Sequence, residues 1–238
     1  MKLLLNKIAH RLLTYFSGRP RLLLNAHLDR WLGYVDAEVL HLPAAMTPDK
    51  LGLALDIGAN YGIMSYFLAR RFKEVIAIEA NPSLASALLE SVPDNVRVLS
   101  TALSDHVGYG NLKVPVDRGV TLVGWGSLEP PSLHQLDRVN ELNVKVTTLD
   151  ALEIPQVDFI KIDVERHELA LLRGSVLTLM RCKPWITVEV FPECRAEVLT
   201  FMQLQNYQSV DLMALTGHAG TSENMVFIPV GDLPTLGL

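Results

Sequence analysis

Short apolar runs separated by polar or glycine-bearing breaks set the rhythm of the chain from residue 53 onward. Leu53-Ala54-Leu55 leads into Asp56-Ile57-Gly58-Ala59-Asn60-Tyr61-Gly62, and Val75-Ile76-Ala77-Ile78 ends on Glu79. Runs this short, rich in aliphatic residues and bounded by turn formers, read as buried strands, and the longer amphipathic stretches between them read as helices. The pattern predicts strands at 53–57, 74–79 and about 95–101, with helices at 61–72 and from Pro82, where Asn81 is placed to cap. Further along it predicts strands at 157–162 and 185–190 and helices at 165–180, weakened at Gly174, and at 194–205. Two last strands near 207–213 and 224–229 are separated by a short loop from Gly217 to Ser222. Strands linked by helices imply an α/β, Rossmann-like, mostly parallel sheet covered on both faces, with the last pair antiparallel.

Two regions depart from this alternation. Residues 1–50 read as a helical extension, with Arg19-Pro20 separating two helices and Pro43 and Pro48 loosening the approach to the first strand. The domain proper then covers 51–238. Between 108 and 143 the rhythm fails: short β-like pieces at 110–116 and 120–124, then Gly124-Trp125-Gly126-Ser127 and Pro130-Pro131. An irregular insertion of that length in a regular α/β chain points to function. Trp125, set between glycines, is the candidate for stacking on an acceptor, or else for pinning the insertion to the core.

Composition narrows the class. Hydrophobic residues make up 49% and charged residues 20% of 238 residues, a balance that builds a folded core and excludes wholesale disorder. The net charge of −5 is unevenly spread, because residues 1–31 carry Lys2, Lys7, Arg11, Arg19, Arg21 and Arg30 against Asp29 alone. No basic tract lies in the later half, so a nucleic-acid partner is not expected. Leu5, Ile8, Leu12 and Phe16 share one helical face, which gives an amphipathic segment suited to packing, to self-association or to an anionic membrane surface. No apolar run approaches the roughly 20 residues that span a bilayer. Cys182 and Cys194 form no metal-binding spacing and read as reduced thiols, so a cytoplasmic protein is expected, with peripheral contact to the inner membrane face as an option.

Candidate chemistry centres on the first strand-loop-helix-strand unit. Gly58 and Gly62 let backbone approach a ligand, and Glu79, twenty-one residues after Gly58, stands where a carboxylate can accept from both ribose hydroxyls. A dinucleotide fingerprint counted from Gly58 requires glycine at 60 and 63, where Asn60 and Ile63 stand. A phosphate loop's Lys-Ser/Thr pair is missing as well. The loop therefore suits a phosphate-free nucleoside, S-adenosylmethionine, better than NAD; a nicotinamide-dependent oxidoreductase and a non-catalytic nucleoside-binding homologue remain the alternatives.

Four segments in order resemble the FkbM-type methyltransferases, a family within the class I S-adenosylmethionine-dependent enzymes. They are Leu55 to Gly62, Ala77-Ile78-Glu79-Ala80-Asn81-Pro82, Ala102-Leu103-Ser104-Asp105, and Leu149-Asp150 with Ile160-Lys161-Ile162-Asp163-Val164-Glu165 and Glu168. The resemblance implies the seven-stranded class I methyltransferase sheet and methyl transfer to oxygen on a sugar, glycan or secondary metabolite. It places Gly58, Ala59, Asn60 and Gly62 around the methionine portion, with Asp56 ordering the loop and facing the ligand's positive end. Glu79 takes the ribose, Asn81 caps or contacts, and Leu103, Ser104 and Asp105 serve the adenine. Asp163 and Glu165, at the carboxyl end of a strand, are the candidates for the reactive centre. Where the family has Glu-Gly-Ala-Glu this chain has Glu165-Arg166-His167-Glu168. His167 has the pKa of a base, yet it replaces an alanine, which predicts a solvent-facing side chain. No metal site is expected; the one alternative is a divalent cation held by Asp163 and Glu189 at adjacent strand tips.

Overall fold

The computed structural model describes residues 17–130 and 137–232. Among the described residues two helices come first: α1 (Gly18–Leu32) and α2 (Ala37–Ala45). The alternating unit follows as β1 (Leu53–Ile57), α3 (Ile63–Ala69), β2 (Glu74–Glu79), α4 (Pro82–Leu89) and β3 (Val96–Ser100). Next come β4 (Ala102–Leu103), β5 (Gly108–Asp117), β6 (Val120–Thr121) and β7 (Arg138–Thr147). Then follow β8 (Phe159–Ile162), α5 (Glu168–Arg173), α6 (Val176–Cys182), β9 (Trp185–Glu189), α7 (Arg195–Leu204), β10 (Tyr207–Val210), α8 (Leu212–Thr216) and β11 (Asn224–Pro229).

Seven strands form one sheet in the order β10-β11-β9-β8-β1-β2-β3. The five strands from β9 to β3 are parallel, and β11 runs antiparallel between β9 and β10. This is the class I methyltransferase fold, with the antiparallel finish expected from the sequence. β1 and β8 lie at its centre, buried on both faces, which is why their sequences are continuous apolar runs rather than alternations. One apolar cluster joins α1, α2 and α3 to one face, through Leu22, Val39, Leu68 and Phe159. The other joins α5, α6 and α7 to the opposite face, through Ile160, Leu171, Leu179 and Met202. Chain order reverses between β1 and β8, so the carboxyl ends of these strands open a crevice where α/β sheets bind ligands.

Several boundaries move for local reasons. Pro20 lies in the first turn of α1, where its missing N–H costs no intrahelical bond, so Arg19-Pro20 stands at the start of the second of the two expected helices; the first lies outside the described residues. Pro43 lies within α2. The 165–180 helix is two helices, α5 and α6, divided at Gly174. The strand expected to reach 213 stops at Val210, because the Asp211 carboxylate accepts from Met213 N–H and caps α8.

The largest correction concerns residues 108–143. Among the described residues of this stretch, β5 and β7 are ten-residue antiparallel strands in continuous register from Gly108↔Val146 to Val116↔Arg138. With β4 and β6 they make a second, four-stranded sheet over Leu112, Val114, Val144 and Val146. Alternation was hidden because Gly110 takes an inward position of β5 and Pro115, among the outward positions, is buried. The proposed 1–16 amphipathic segment lies outside the described residues. Among the described residues, no helix is long and apolar enough to cross a membrane.

Candidate functional site

A crevice opens above the carboxyl ends of β1 and β2. One wall is the loop after β1. Gly58 and Ala59 N–H both donate to Ile78 O, at 2.9 and 3.1 Å. Gly58 has φ +81°, and a Cβ there would fall 1.8 Å from Asp163 O, so the loop meets the backbone after β8 where no side chain fits. Asn60, also left-handed at φ +51°, donates its N–H to Glu79 Oε2 at 2.8 Å, while Asn81 N–H donates to Oε1 at 2.8 Å. Glu79 thus ties the two loops together. Burial pushes its carboxyl up, against the pull of these two donors. Each oxygen keeps a lone pair for a ligand hydroxyl.

The opposite wall is a strap, residues 122–130, that leaves β6 and crosses the crevice mouth. Gly124 passes so near the first loop that a Cβ would come within 2.5 Å of Asn60 Nδ2. Ser127 exchanges backbone hydrogen bonds with Lys113 of β5 and donates its Oγ to Glu165 O at 2.5 Å. Glu129 reaches His167: Oε1 lies 2.9 Å from Nδ1. The other ring nitrogen, Nε2, lies 2.9 Å from Ser104 Oγ. His167 is 8% exposed, so the solvent-facing expectation is wrong; the imidazole joins the strap to the end of β4.

At the floor, Lys161 and Asp163 project to the same side of β8, two residues apart, and their Nζ and Oδ2 are 2.9 Å apart. Burial alone would lower the Lys161 ammonium, but Asp163, Asp56 and Asp36 outweigh it and hold the group protonated. Around this pair several carboxyls are held high, by burial first. Glu165, Glu168 and Glu189 are pushed up to about 7, and Asp36 to about 6. Neighbouring carboxylates add to the effect, Asp163 among them in all four. Glu168 Oε1 accepts from Arg166 N–H at the start of α5, a structural duty.

Of the expected cofactor residues, Gly58, Asn60, Glu79, Leu103 and Asp163 line the crevice, as do Glu165 and His167. Others stand behind it. Asp56 is fully buried, accepts from Ser65 Oγ at 2.5 Å and faces α3 rather than the cavity. Ala59 and Gly62 shape the turn, and Asn81 caps α4 through Ser83 N–H. Ser104 is buried against His167. Asp105 is a correction: its carboxylate turns outward to His106 Nδ1 at 2.9 Å, which holds it below the usual range, and it does not line the cavity. Trp125 is half exposed on a 3-10 turn, outside the lining. Glu189 ends β9 beyond the lining too, and among the described residues no three His, Cys, Asp or Glu side chains converge as metal ligands.

Sequence reading placed function in the stretch that holds the strap, but it missed Thr101, Ala102 and the pairing of Lys161 with Asp163. A lysine inside the apolar run Phe-Ile-Lys-Ile, two residues before an aspartate, was the available signal for the pair. Nothing marked Glu129 in advance.

The cavity fits an adenosyl sulfonium. Its described lining holds three carboxylates, Glu79, Asp163 and Glu165, and no Lys or Arg, and Asn60 Oδ1 stands buried without a partner. Residues 56–209 match the Methyltransferase FkbM domain, 154 of the 238 residues. This chain belongs to the FkbM methyltransferase family. The family's cofactor is S-adenosylmethionine. Among solved structures, the FkbM domain here is similar to a methyltransferase FkbM from Methylobacillus flagellatus KT, at 16% identity and a TM-score of 0.49. That match covers 94% of this chain but only 58% of the length of the other protein. It is also similar to magnesium protoporphyrin IX methyltransferase from Synechocystis PCC 6803, solved with bound S-adenosylmethionine. There the identity is 11% and the TM-score 0.43, over 79% of this chain and 80% of that one. Likenesses this distant carry no argument about activity. No curated protein matches the chain.

Proposed function

We propose that this FkbM domain catalyses methyl transfer from S-adenosylmethionine to a hydroxyl oxygen of a small metabolite or glycan. The observation that carries the reading is the acidity of the crevice: Glu79, Asp163 and Glu165 line it, and the nearest ammonium, Lys161, is buried beneath the lining and paired with Asp163. Such a site repels a pyrophosphate and attracts a sulfonium, which argues against the nicotinamide alternative. The cofactor, when bound, supplies an activated methyl group. Glu79 would accept from the ribose hydroxyls, and the apolar shelf of Ala102 and Leu103 would hold the adenine. Asp163, oriented by Lys161, would face the cationic end. Glu165 supports oxygen as the acceptor atom: a carboxyl held at about 7 is poised near neutrality to take a proton as a hydroxyl becomes acidic. The strap would screen the space between from water.

Calorimetry with S-adenosylhomocysteine and with NAD tests the first half. Binding of the former and not the latter is expected, and the reverse overturns the reading. Incubation of a cell extract with methyl-labelled cofactor tests the second half: label should appear in methyl ethers, and label confined to amines or carbon would remove the oxygen assignment.

A further inference from the structure

We propose that the outward face of α1 docks on an anionic phospholipid surface. α1 turns Leu22 and Ala26 into the core, against α3. A surface helix packed in this way ordinarily presents polar residues on its other side. This one presents Leu23, 36% exposed, Leu24 at 45% and Trp31 at 62%, with Tyr34 at 59% just beyond the helix end. Leu24 and Trp31 are two turns apart on one stripe, and His27 stands between them.

A basic rim surrounds the stripe. Arg21 and Arg30 are exposed on α1 itself. The His27 ring meets Tyr66 edge-on at 6.1 Å, and the Arg70 guanidinium lies over that same Tyr66, 5.8 Å from its centre. Arg30 sits 5.8 Å above Phe67, the next residue of α3. The sequence carries the same asymmetry, with six basic residues against Asp29 over residues 1–34 of a chain whose net charge is −5.

The chemistry of the patch selects its occupant. Trp and Tyr settle at the level of lipid headgroups, leucines enter the acyl boundary, and arginines keep their charge among phosphates while their stems lie on apolar surface. A second copy of this chain fits poorly, because a two-fold contact through the stripe would oppose Arg21 and Arg30 with their own images.

The test is co-sedimentation of the full chain with vesicles of phosphatidylcholine alone or mixed with phosphatidylglycerol. The mixed vesicles should retain about tenfold more protein than the neutral ones, and high salt should release it. The double variant Leu24→Glu/Trp31→Glu should lose this partitioning while keeping its melting temperature and its affinity for S-adenosylhomocysteine. Three results would overturn the proposal. The protein remains in solution with both vesicles. The double variant sediments as the wild type does, which would assign the binding to another segment. Or the protein self-associates without lipid and the double variant does not, which would make the stripe a contact between copies.

Discussion

The two walls of the crevice are held in opposite ways. On the Gly58–Glu79 wall, backbone amides close on the carbonyl of Ile78 and on one carboxylate. The register of β1 against β2 sets most of that geometry, and few rotamers remain to be fixed. On the strap wall, backbone bonds join Leu122 and Ser127 to β5, but the links across to the other elements are made by side chains: Glu129 to His167, His167 to Ser104, and Ser127 Oγ to the Glu165 carbonyl. Each such link fixes several rotatable bonds for one modest hydrogen bond. The first wall is therefore as stable as the sheet, and the second can loosen while the sheet stands.

The largest effect should come from breaking the first wall. Gly58→Ala forces a Cβ into the space of Asp163 O, at a φ of +81° that alanine rarely adopts. Backbone has to move at the centre of the sheet, so we expect a loss of about 4 kcal/mol or more in urea unfolding, with cofactor binding abolished. A well-folded Gly58→Ala protein that still binds S-adenosylhomocysteine would show that the loop and the β8 end are not locked together.

Acidity should act on the seam between the walls. Asp36, Glu165, Glu168 and Glu189 titrate near 6 to 7 when folded, against ordinary values of 3.8 and 4.5. A raised folded pKa means that the unfolded chain gives up its proton first. The stabilisation is complete below about pH 4.5 and is lost as pH rises through 6 and 7. His41, pushed down by burial and then by His218, works in the opposite sense but is one partly exposed group against four. After allowance for solvent relaxation we expect the protein to be about 2–3 kcal/mol less stable at pH 8 than at pH 5. Thermal unfolding across that range checks it, and a melting temperature that rises toward pH 8 would contradict the burial of these carboxyls.

These contrasts also explain how much could be read in advance. The Gly58–Glu79 wall was legible because its residues are close in sequence and each does one job that few residue types can do. Glycine accepts the positive φ, and a carboxylate at a strand tip accepts two amides. The alternation of strands and helices followed from apolar runs of the right length, and the seven-stranded sheet from the family resemblance. The hairpin of β5 and β7 was not legible, since Gly110 and Pro115 blur the two-residue period. His167 misled for a different reason. Its partners Ser104 and Glu129 are 63 and 38 residues away, and only the folded chain shows that the ring is buried between them.

A smaller change tests whether Glu79 joins the loops as well as facing the cavity. Glu79→Gln replaces one oxygen with an amide nitrogen, so either Asn60 or Asn81 N–H loses its acceptor and the charge is gone. We expect about 2 kcal/mol weaker binding of S-adenosylhomocysteine, roughly a 30-fold rise in Kd, with a small drop in melting temperature. Unchanged affinity would remove Glu79 from the ribose and leave it only the structural duty.

The smallest effect, and the one that most sharpens the contrast, is expected on the strap. His167→Ala removes both links of the imidazole, yet neither partner is stranded: Glu129 is 44% exposed in its side chain and can turn to water, and Ser104 Oγ keeps Asp105 within 3.2 Å. The loss should be about 1 kcal/mol of global stability, one buried hydrogen-bonded contact. Amide hydrogen exchange reads the difference between the walls directly. Residues 122–130 should exchange about tenfold faster in His167→Ala, while β1 and β2 exchange as before. Glu129→Gln should produce part of that change, and the double variant should add little to His167→Ala, since both act on one link. Equal acceleration in β1 and β2 would mean that the strap and the sheet open as one unit, and that the two walls differ in chemistry but not in stability.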